Sequence, residues 1–262
     1  MDLELRGTRV LITGGSRGIG LAAAQSLAAE GAAVGLVARG EDGLAAAAAQ
    51  LAAHGVPIAT AAADVTSQDA LGRAVTQIAD ALGGLDHLVA NAGGTVGANL
   101  TDSAPGDLAA TFMLNAGHAA ELIRAGLPYL RAAGGGACVI VSSITGMRPA
   151  PRTNYAVAKA AEIQLAAAAA AELASANIRV NAVSPGSILF PGGAWERFRQ
   201  AEPAAFEEFV RTQFPFGRLG RLAEVADVIM FLLSRRASWI TGANIVVDGA
   251  QRYPSARRFP EL

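Results

Sequence analysis

One cysteine, three histidines and a near-exact cancellation of charge set the first limits on this 262-residue chain. A lone thiol closes no intrachain disulfide, and Cys138 lies inside the apolar run ACVIV, where it reads as a small core residue. The rings of His54, His87 and His118 have no spacing suited to a metal pair, so no metal site is expected and each reads as structural or solvated. Lys+Arg 21 against Asp+Glu 22 gives a formal charge of -1, which leaves no basic excess to neutralise a phosphate backbone and argues against nucleic acid as a partner. No uninterrupted apolar segment approaches a bilayer span, because Glu162, Gln164 and Glu172 break the alanine-rich runs. The opening MDLELRGTRVLITGG lacks the basic end and apolar block of a secretion signal, and a cytoplasmic location is expected.

Hydrophobic residues are abundant instead, at 52% with only 16% charged, which supplies a large core and excludes a disordered chain. Short β-branched runs alternate with longer alanine- and leucine-rich stretches. The strand candidates are Arg9–Thr13, Ala33–Ala38, Ile58–Ala63, His87–Ala90, Cys138–Ser142, Ile178–Val183 and Asn244–Asp248, most of them apolar on both faces. Helical stretches fall near 18–30, 41–54, 67–82, 107–131, 155–175 and 222–235. This alternation predicts an α/β fold with a doubly wound, Rossmann-like parallel sheet. No repeat and no Pro/Ser-rich linker divides the chain, so one domain over 1–262 is expected.

Two departures from that rhythm point to ligand binding. The first strand runs into TGGSRGIG, Thr13 to Gly20, ahead of a helix. Glycines there allow a sharp turn and close approach, while the helix start offers free N–H groups and a positive dipole end to phosphate oxygens. The loop lacks the Gly-Lys-Ser/Thr ending of a P-loop, which disfavours nucleotide hydrolysis. The second departure is the stretch 187–221, rich in Phe, Trp, Arg and Glu, which follows the sixth strand where an open α/β sheet places its ligand. A substrate lid is expected there.

The spacing of Gly14, Gly18 and Gly20 resembles the T-G-x-x-x-G-x-G loop of the short-chain dehydrogenase/reductases, and the resemblance continues along nearly the whole chain. Asp64-Val65 resembles the adenine-contacting pair of that family, and Asn91-Ala92-Gly93 resembles its NNAG, with Ala90 in place of the first asparagine. Asn115 is similar to the helix asparagine, and Ser143, Tyr155 and Lys159 to the catalytic set. VNAVSPG, ending in Pro185-Gly186, and WITGANIVVDG, Trp239 to Gly249, complete the likeness. Members resembling 3-oxoacyl-acyl-carrier-protein reductases are the nearest general description.

What this resemblance implies has a physical rationale. Tyr155 and Lys159 stand one helical turn apart and share a face. A phenol, with an ordinary pKa of about 10, is a poor proton donor or acceptor at neutral pH, and an adjacent ammonium favours its phenolate. The resemblance makes Tyr155 the general acid in reduction and gives Lys159 a second contact with the nicotinamide ribose. A serine hydroxyl steadies the carbonyl oxygen; Ser143 is chosen over Ser142 because the family's serine stands three residues before a glycine, here Gly146. Asn115 would hold a water that links Lys159 to solvent. The cofactor contacts implied are Gly14, Ser16, Arg17, Gly18, Ile19, Gly20, Arg39, Asp64, Val65, Asn91, Ala92, Gly93, Pro185, Gly186 and Ile188, together with Tyr155 and Lys159.

At the end of the second strand, Ala38 stands where an NAD site carries an acid, and Arg39 follows; with Arg17 this predicts NADP(H). Phe190 stands where the family commonly has a threonine that meets the nicotinamide amide, leaving Ser187 or the backbone of Ile188 for that contact. Six of the nine Phe, including Phe190, Phe198 and Phe214, lie in the expected lid with Trp195, which suggests an apolar or aromatic ketone as the small-molecule substrate. NADPH-dependent reduction of a ketone to a secondary alcohol is therefore expected. The alternatives are an NAD(P)-dependent alcohol or steroid dehydrogenase and a noncatalytic cofactor-sensing protein. A homotetramer with the 239–249 segment near an interface is also implied.

Overall fold

Strands that are apolar on both faces need cover on both sides, and the chain supplies it by alternating strand and helix. The computed structural model describes residues 2–256, so the ends of the expected domain of 1–262 lie outside the described residues. Its strands are β1 (Arg9–Thr13), β2 (Ala33–Ala38), β3 (Ile58–Ala62), β4 (His87–Ala90), β5 (Gly136–Val141), β6 (Ile178–Pro185) and β7 (Asn244–Val247). They form one sheet in the order β3-β2-β1-β4-β5-β6-β7, and every pairing is parallel. The chain winds outward in one direction from β1 and in the other from β4.

The helices are α1 (Gly18–Ala29), α2 (Glu41–Leu51), α3 (Gln68–Leu82), α4 (Asp107–Phe112), α5 (His118–Ala132), α6 (Thr153–Leu173), α7 (Ala194–Ala201), α8 (Pro203–Gln213) and α9 (Leu222–Leu233). Strand alternation sorts the core into two layers. Val10 and Ile12 of β1 face Leu27, Leu44, Val225 and Ile229, whereas Leu11 faces the layer of Leu71, Ile78, Leu122 and Leu173. Cys138 is part of this second layer, where burial pushes its thiol up to about 12 and leaves it inert.

Local chemistry sets the element ends. In α3, Leu71, Ala74, Val75, Ile78 and Ala79 make one buried face, the Ser67 hydroxyl accepts from the Ala70 N–H, and Gly83 closes the helix at φ 76°. The expected helix over 107–131 is not continuous: a π-helical turn, Met113–Gly117, separates α4 from α5. Asn115 sits in that turn, and its side-chain amide donates to the Thr111 carbonyl at 2.7 Å. β5 begins two residues earlier than the apolar run suggested, and β6 runs on to Pro185. Among the described residues no helix is long and apolar enough to cross a membrane.

Candidate active site

The strand order reverses between β1 and β4, so the loops that follow them leave the sheet side by side, from the paired residues Thr13 and Ala90. Asn91 fastens them together: its Nδ2 donates to the carbonyls of Thr13 and Gly14, both at 3.1 Å. Ala90, which replaces the first asparagine of the family pattern, is simply core. Gly14 and Gly18 have φ 66° and 58°, and a Cβ at Gly14 would lie 2.9 Å from Asn91 Nδ2. A side chain at Gly14 would also meet the Ala92 backbone, and one at Gly18 would meet the Phe190 ring.

The start of α1 has no side-chain cap, and its first turn bond is Leu21 N–H to the Arg17 carbonyl at 3.3 Å. The amides of Gly18, Ile19 and Gly20 are thus helix-start donors without an intrahelical acceptor. Arg17 and Arg39 are both exposed at this edge, and the Gly43 backbone closes on Ser16. Asp64 accepts from the N–H and hydroxyl of Thr66, which hold its carboxyl below the ordinary value with help from Arg39. Val65 beside it is buried. The sequence-predicted adenine and phosphate contacts therefore line one rim. A bare-amide cradle flanked by two arginines fits a dinucleotide diphosphate.

Thr13 is a hub that sequence reasoning missed. Its buried hydroxyl accepts from the N–H groups of Asn91 at 3.1 Å and Ala92 at 3.3 Å, and lies 3.1 Å from His118 Nε2. His118 Nδ1 is 2.9 Å from the Leu114 carbonyl, which can only accept, so Nδ1 carries the proton. Burial and the nearby Lys159 charge push this ring down to about 4, so it is neutral and Nε2 accepts from Thr13. His118 is structural. The signal was its position three residues after Asn115, on the same helix face.

The expected catalytic residues come from three elements: Asn115 from the π-helical turn, Ser143 from the turn after β5, and Tyr155 and Lys159 from α6. Asn115 donates to the Gly94 carbonyl and accepts from the Gly94 N–H, at 2.8 and 3.2 Å. A Cβ at Gly93 would fall 2.6 Å from Asn115 Oδ1 and 3.1 Å from Lys159 Nζ, which shows how closely these two side chains converge. Lys159 is buried with its Nζ 5.5 Å from the centre of the half-buried Tyr155 ring. Ser142 is buried and donates to the Lys159 carbonyl at 2.7 Å, so its proton is committed. Ser143 is half-buried and its oxygen accepts from Thr145 N–H and Oγ1–H, which leaves its own proton to offer. Gly146 lets this turn rest on α6, since a Cβ there would meet the Lys159 carbonyl carbon at 2.6 Å.

Beyond β6, Ser187 is occupied by Gln251, whose Oε1 accepts from the Ser187 N–H at 2.8 Å and whose Nε2 donates to its hydroxyl at 3.1 Å. Leu189 N–H bonds the Gly220 carbonyl and Gly220 N–H bonds Ser187, a parallel bridge that leaves the N–H and C=O of Ile188 on its other side. Gly186 packs closely on Asp248 and Gln251. The insertion 187–221 folds as α7 and α8 around an aromatic core of its own. Trp195 stacks on Phe209 at 4.9 Å, Phe198 meets Phe206 edge-on at 6.1 Å, and Phe209 meets Phe214 edge-on at 5.2 Å. Of the rings expected to face substrate, Phe214 is buried with Phe206 and Phe209, while Trp195 and Phe198 are partly buried against them. Phe190 stands apart, its ring 3.3 Å from where a Gly18 Cβ would be. The tail ties this unit down, with Arg252 N–H bonding the Gln213 carbonyl at 2.9 Å and Ala256 packed on the aromatic core.

Comparison with known proteins agrees with this geometry. A family profile described as Enoyl-(Acyl carrier protein) reductase matches residues 14–250. A 3-oxoacyl-acyl-carrier-protein reductase of Thermotoga maritima is 35% identical over 250 residues, covering 94% of this chain and 98% of its own. The chain is a short-chain dehydrogenase/reductase. Among solved short-chain dehydrogenase/reductases, the L-sorbose reductase of Gluconobacter frateurii, complexed with NADPH and L-sorbose, superposes with a TM-score of 0.90 at 33% identity, over 96% of this chain and 99% of that one. A 7α-hydroxysteroid dehydrogenase complexed with NADH has the same TM-score of 0.90 at 28% identity and 98% coverage of each chain. The protein is accordingly an oxidoreductase whose structural relatives bind nicotinamide cofactors. Among the described residues no group of three His, Cys, Asp or Glu side chains is placed to hold a metal ion.

Proposed function

We propose that the protein reduces a small ketone to a secondary alcohol with NADPH. The observation that carries this reading is the Lys159 ammonium buried beneath the Tyr155 ring, an arrangement with little use on a plain surface helix. When bound in the cradle, the nicotinamide supplies the hydride. The amides of α1 and the glycine loop hold the diphosphate, and Arg17 and Arg39 pair with a 2′-phosphate, for which Arg forks are suited. Asp64 and Val65 meet the adenine. Ile188, with its N–H and C=O turned out of the bridge to Gly220, meets the nicotinamide amide in place of Ser187, which Gln251 occupies.

Tyr155 donates the proton that the developing alkoxide requires, and Lys159 favours the phenolate left behind. Ser143 offers its free proton to the same carbonyl oxygen. Asn115, fixed by Gly94 and the π turn beside Lys159, positions the route by which the proton is replaced. The α7–α8 unit closes the substrate side as a lid, with Phe190 as its ring nearest the glycine loop. A homotetramer is also proposed, with Trp239, which is 98% exposed, on an interface. Light scattering tests that assembly. Calorimetric titration with NADPH and separately with NADH, followed by a ketone screen with wild type and Tyr155→Phe, tests the reaction; stronger NADH binding, or wild-type turnover by Tyr155→Phe, sinks it.

A further inference from the structure

Glu162 is a buried acid to which the reduction chemistry gives no task. It lies on α6 three residues after Lys159, is wholly shielded from water, and its Oε1 and Oε2 are 3.1 and 2.9 Å from Lys159 Nζ. The ammonium also donates to the Val141 carbonyl at 3.0 Å. Two of its three protons are thereby directed into the protein, and the third is left for the side where Tyr155, Gly93 and Asn115 converge.

The other groups around this pair are neutral or turned elsewhere. From α5 comes the neutral His118, and from the end of β5 the Ser142 hydroxyl. On α4, Asp107 bonds the Ala104 N–H, and on β6 the Arg179 guanidinium bonds the carbonyls of Leu232, Leu233, Ser234 and Ile240. Burial alone works against the Lys159 charge, yet with Glu162 and Tyr155 facing it the ammonium is held above its ordinary value. The same burial raises the Glu162 carboxyl, which Lys159 opposes. A buried lysine without a counter-ion tends to shed its proton.

We propose that Glu162 is a positioning residue for Lys159: its buried carboxylate keeps the ammonium charged and aimed, so that the proton surrendered by the Tyr155–Lys159 pair is the phenol's. Were Lys159 free to deprotonate first, the ammonium would lose the charge that favours the phenolate, and Tyr155 would lose its advantage as an acid. This rests on Tyr155 and Lys159 being the reacting pair.

Lys159 is the only lysine in the chain, so labelling with lysine carrying nitrogen-15 at Nζ gives a single side-chain resonance. Its titration by NMR in the protein without substrate is the test. The wild-type midpoint is expected above that of free lysine, and in Glu162→Gln it should fall by about 1–3 pH units, with Glu162→Asp recovering part of the shift. An unmoved midpoint in Glu162→Gln overturns the proposal. So does a wild-type midpoint already below that of free lysine, a result that needs no variant to fold. A pH profile of ketone turnover adds a second readout: kcat in Glu162→Gln should fall on the alkaline side with the KM for the ketone little changed. If Tyr155→Phe is inactive while the Lys159 midpoint ignores Glu162, this inference fails and the reduction reading stands; if Tyr155→Phe retains turnover, the reading beneath both fails.

Discussion

Replacing Thr13 by Val should loosen the cofactor cradle by freeing the Asn91 and Ala92 amides that the Thr13 hydroxyl holds. The substitution keeps shape and β-branching but deletes the hydroxyl on which the β1 and β4 loops converge. Three partners lose it: the buried His118 ring at 3.1 Å, and the half-buried N–H groups of Asn91 at 3.1 Å and Ala92 at 3.3 Å. Each stranded polar group costs about 1–3 kcal/mol. Counting the longest bond as weak, the expected loss of stability is about 2–5 kcal/mol, a large share of the roughly 5–15 kcal/mol that holds a domain together. Urea unfolding measures it, with an unchanged slope showing that the folded and unfolded states stay comparable. His118→Leu removes one stranded partner, so the Thr13→Val/His118→Leu double variant should lose less than the sum of the single losses. A Thr13→Val loss under about 1 kcal/mol, or strictly additive losses, would refute the hub.

Tyr155→Phe should lower ketone turnover by about 10²–10⁴-fold in steady-state assays while calorimetry still shows NADPH binding. Arg17→Ala with Arg39→Ala should weaken NADPH by at least about tenfold and leave NADH nearly unchanged, because each arginine supplies a charge-assisted bond of about 1.5–3 kcal/mol to the 2′-phosphate; equal losses for both nucleotides would contradict the assignment. Gly83→Ala places a Cβ in open space but at φ 76°, so it should cost only the left-handed strain of about 1–2 kcal/mol, read as a lower thermal midpoint. His118, held down at about 4 from an ordinary 6.5, binds its proton more readily when the chain is unfolded, so stability should fall as pH drops from 6.5 toward 4. That window is worth up to about 3 kcal/mol, and the slope of urea midpoints against pH should lessen in His118→Leu, with the remainder coming from His87, which burial also pushes down to about 4.

The seven strands were legible because double-sided burial demands unbroken apolar runs, and their ends moved by no more than a couple of residues. The glycine loop was legible because few residues tolerate φ near 60° against a neighbouring backbone. The break at Met113–Gly117 was hidden, since MLNAG suits a helix and only the packing of Asn115 against Gly94 calls for a wider turn. Ring counting in 187–221 could not separate aromatics that pack on each other, as Phe206, Phe209 and Phe214 do, from any that face a ligand, because composition carries no direction. The Lys159–Glu162 pair was there to be read from its three-residue spacing on one helix face, although burial, which gives the pair its weight, is a tertiary property.

The clasp at the chain's far end has a mechanical consequence. Gln251 grips Ser187 at the root of the insertion, Arg252 grips Gln213 at the end of α8, and Ala256 seats on the aromatic core between them. The two helices are therefore strapped across rather than hung from a pair of strand ends. Any swing of α7 and α8 away from Ser187 must either carry the tail along and break the Gln251 bonds, or leave it behind and break the Arg252–Gln213 bond. Insertions and deletions in this stretch are likewise constrained, because its two ends are fastened by residues that follow it: Gln251 meets Ser187, 64 positions earlier, and Arg252 meets Gln213.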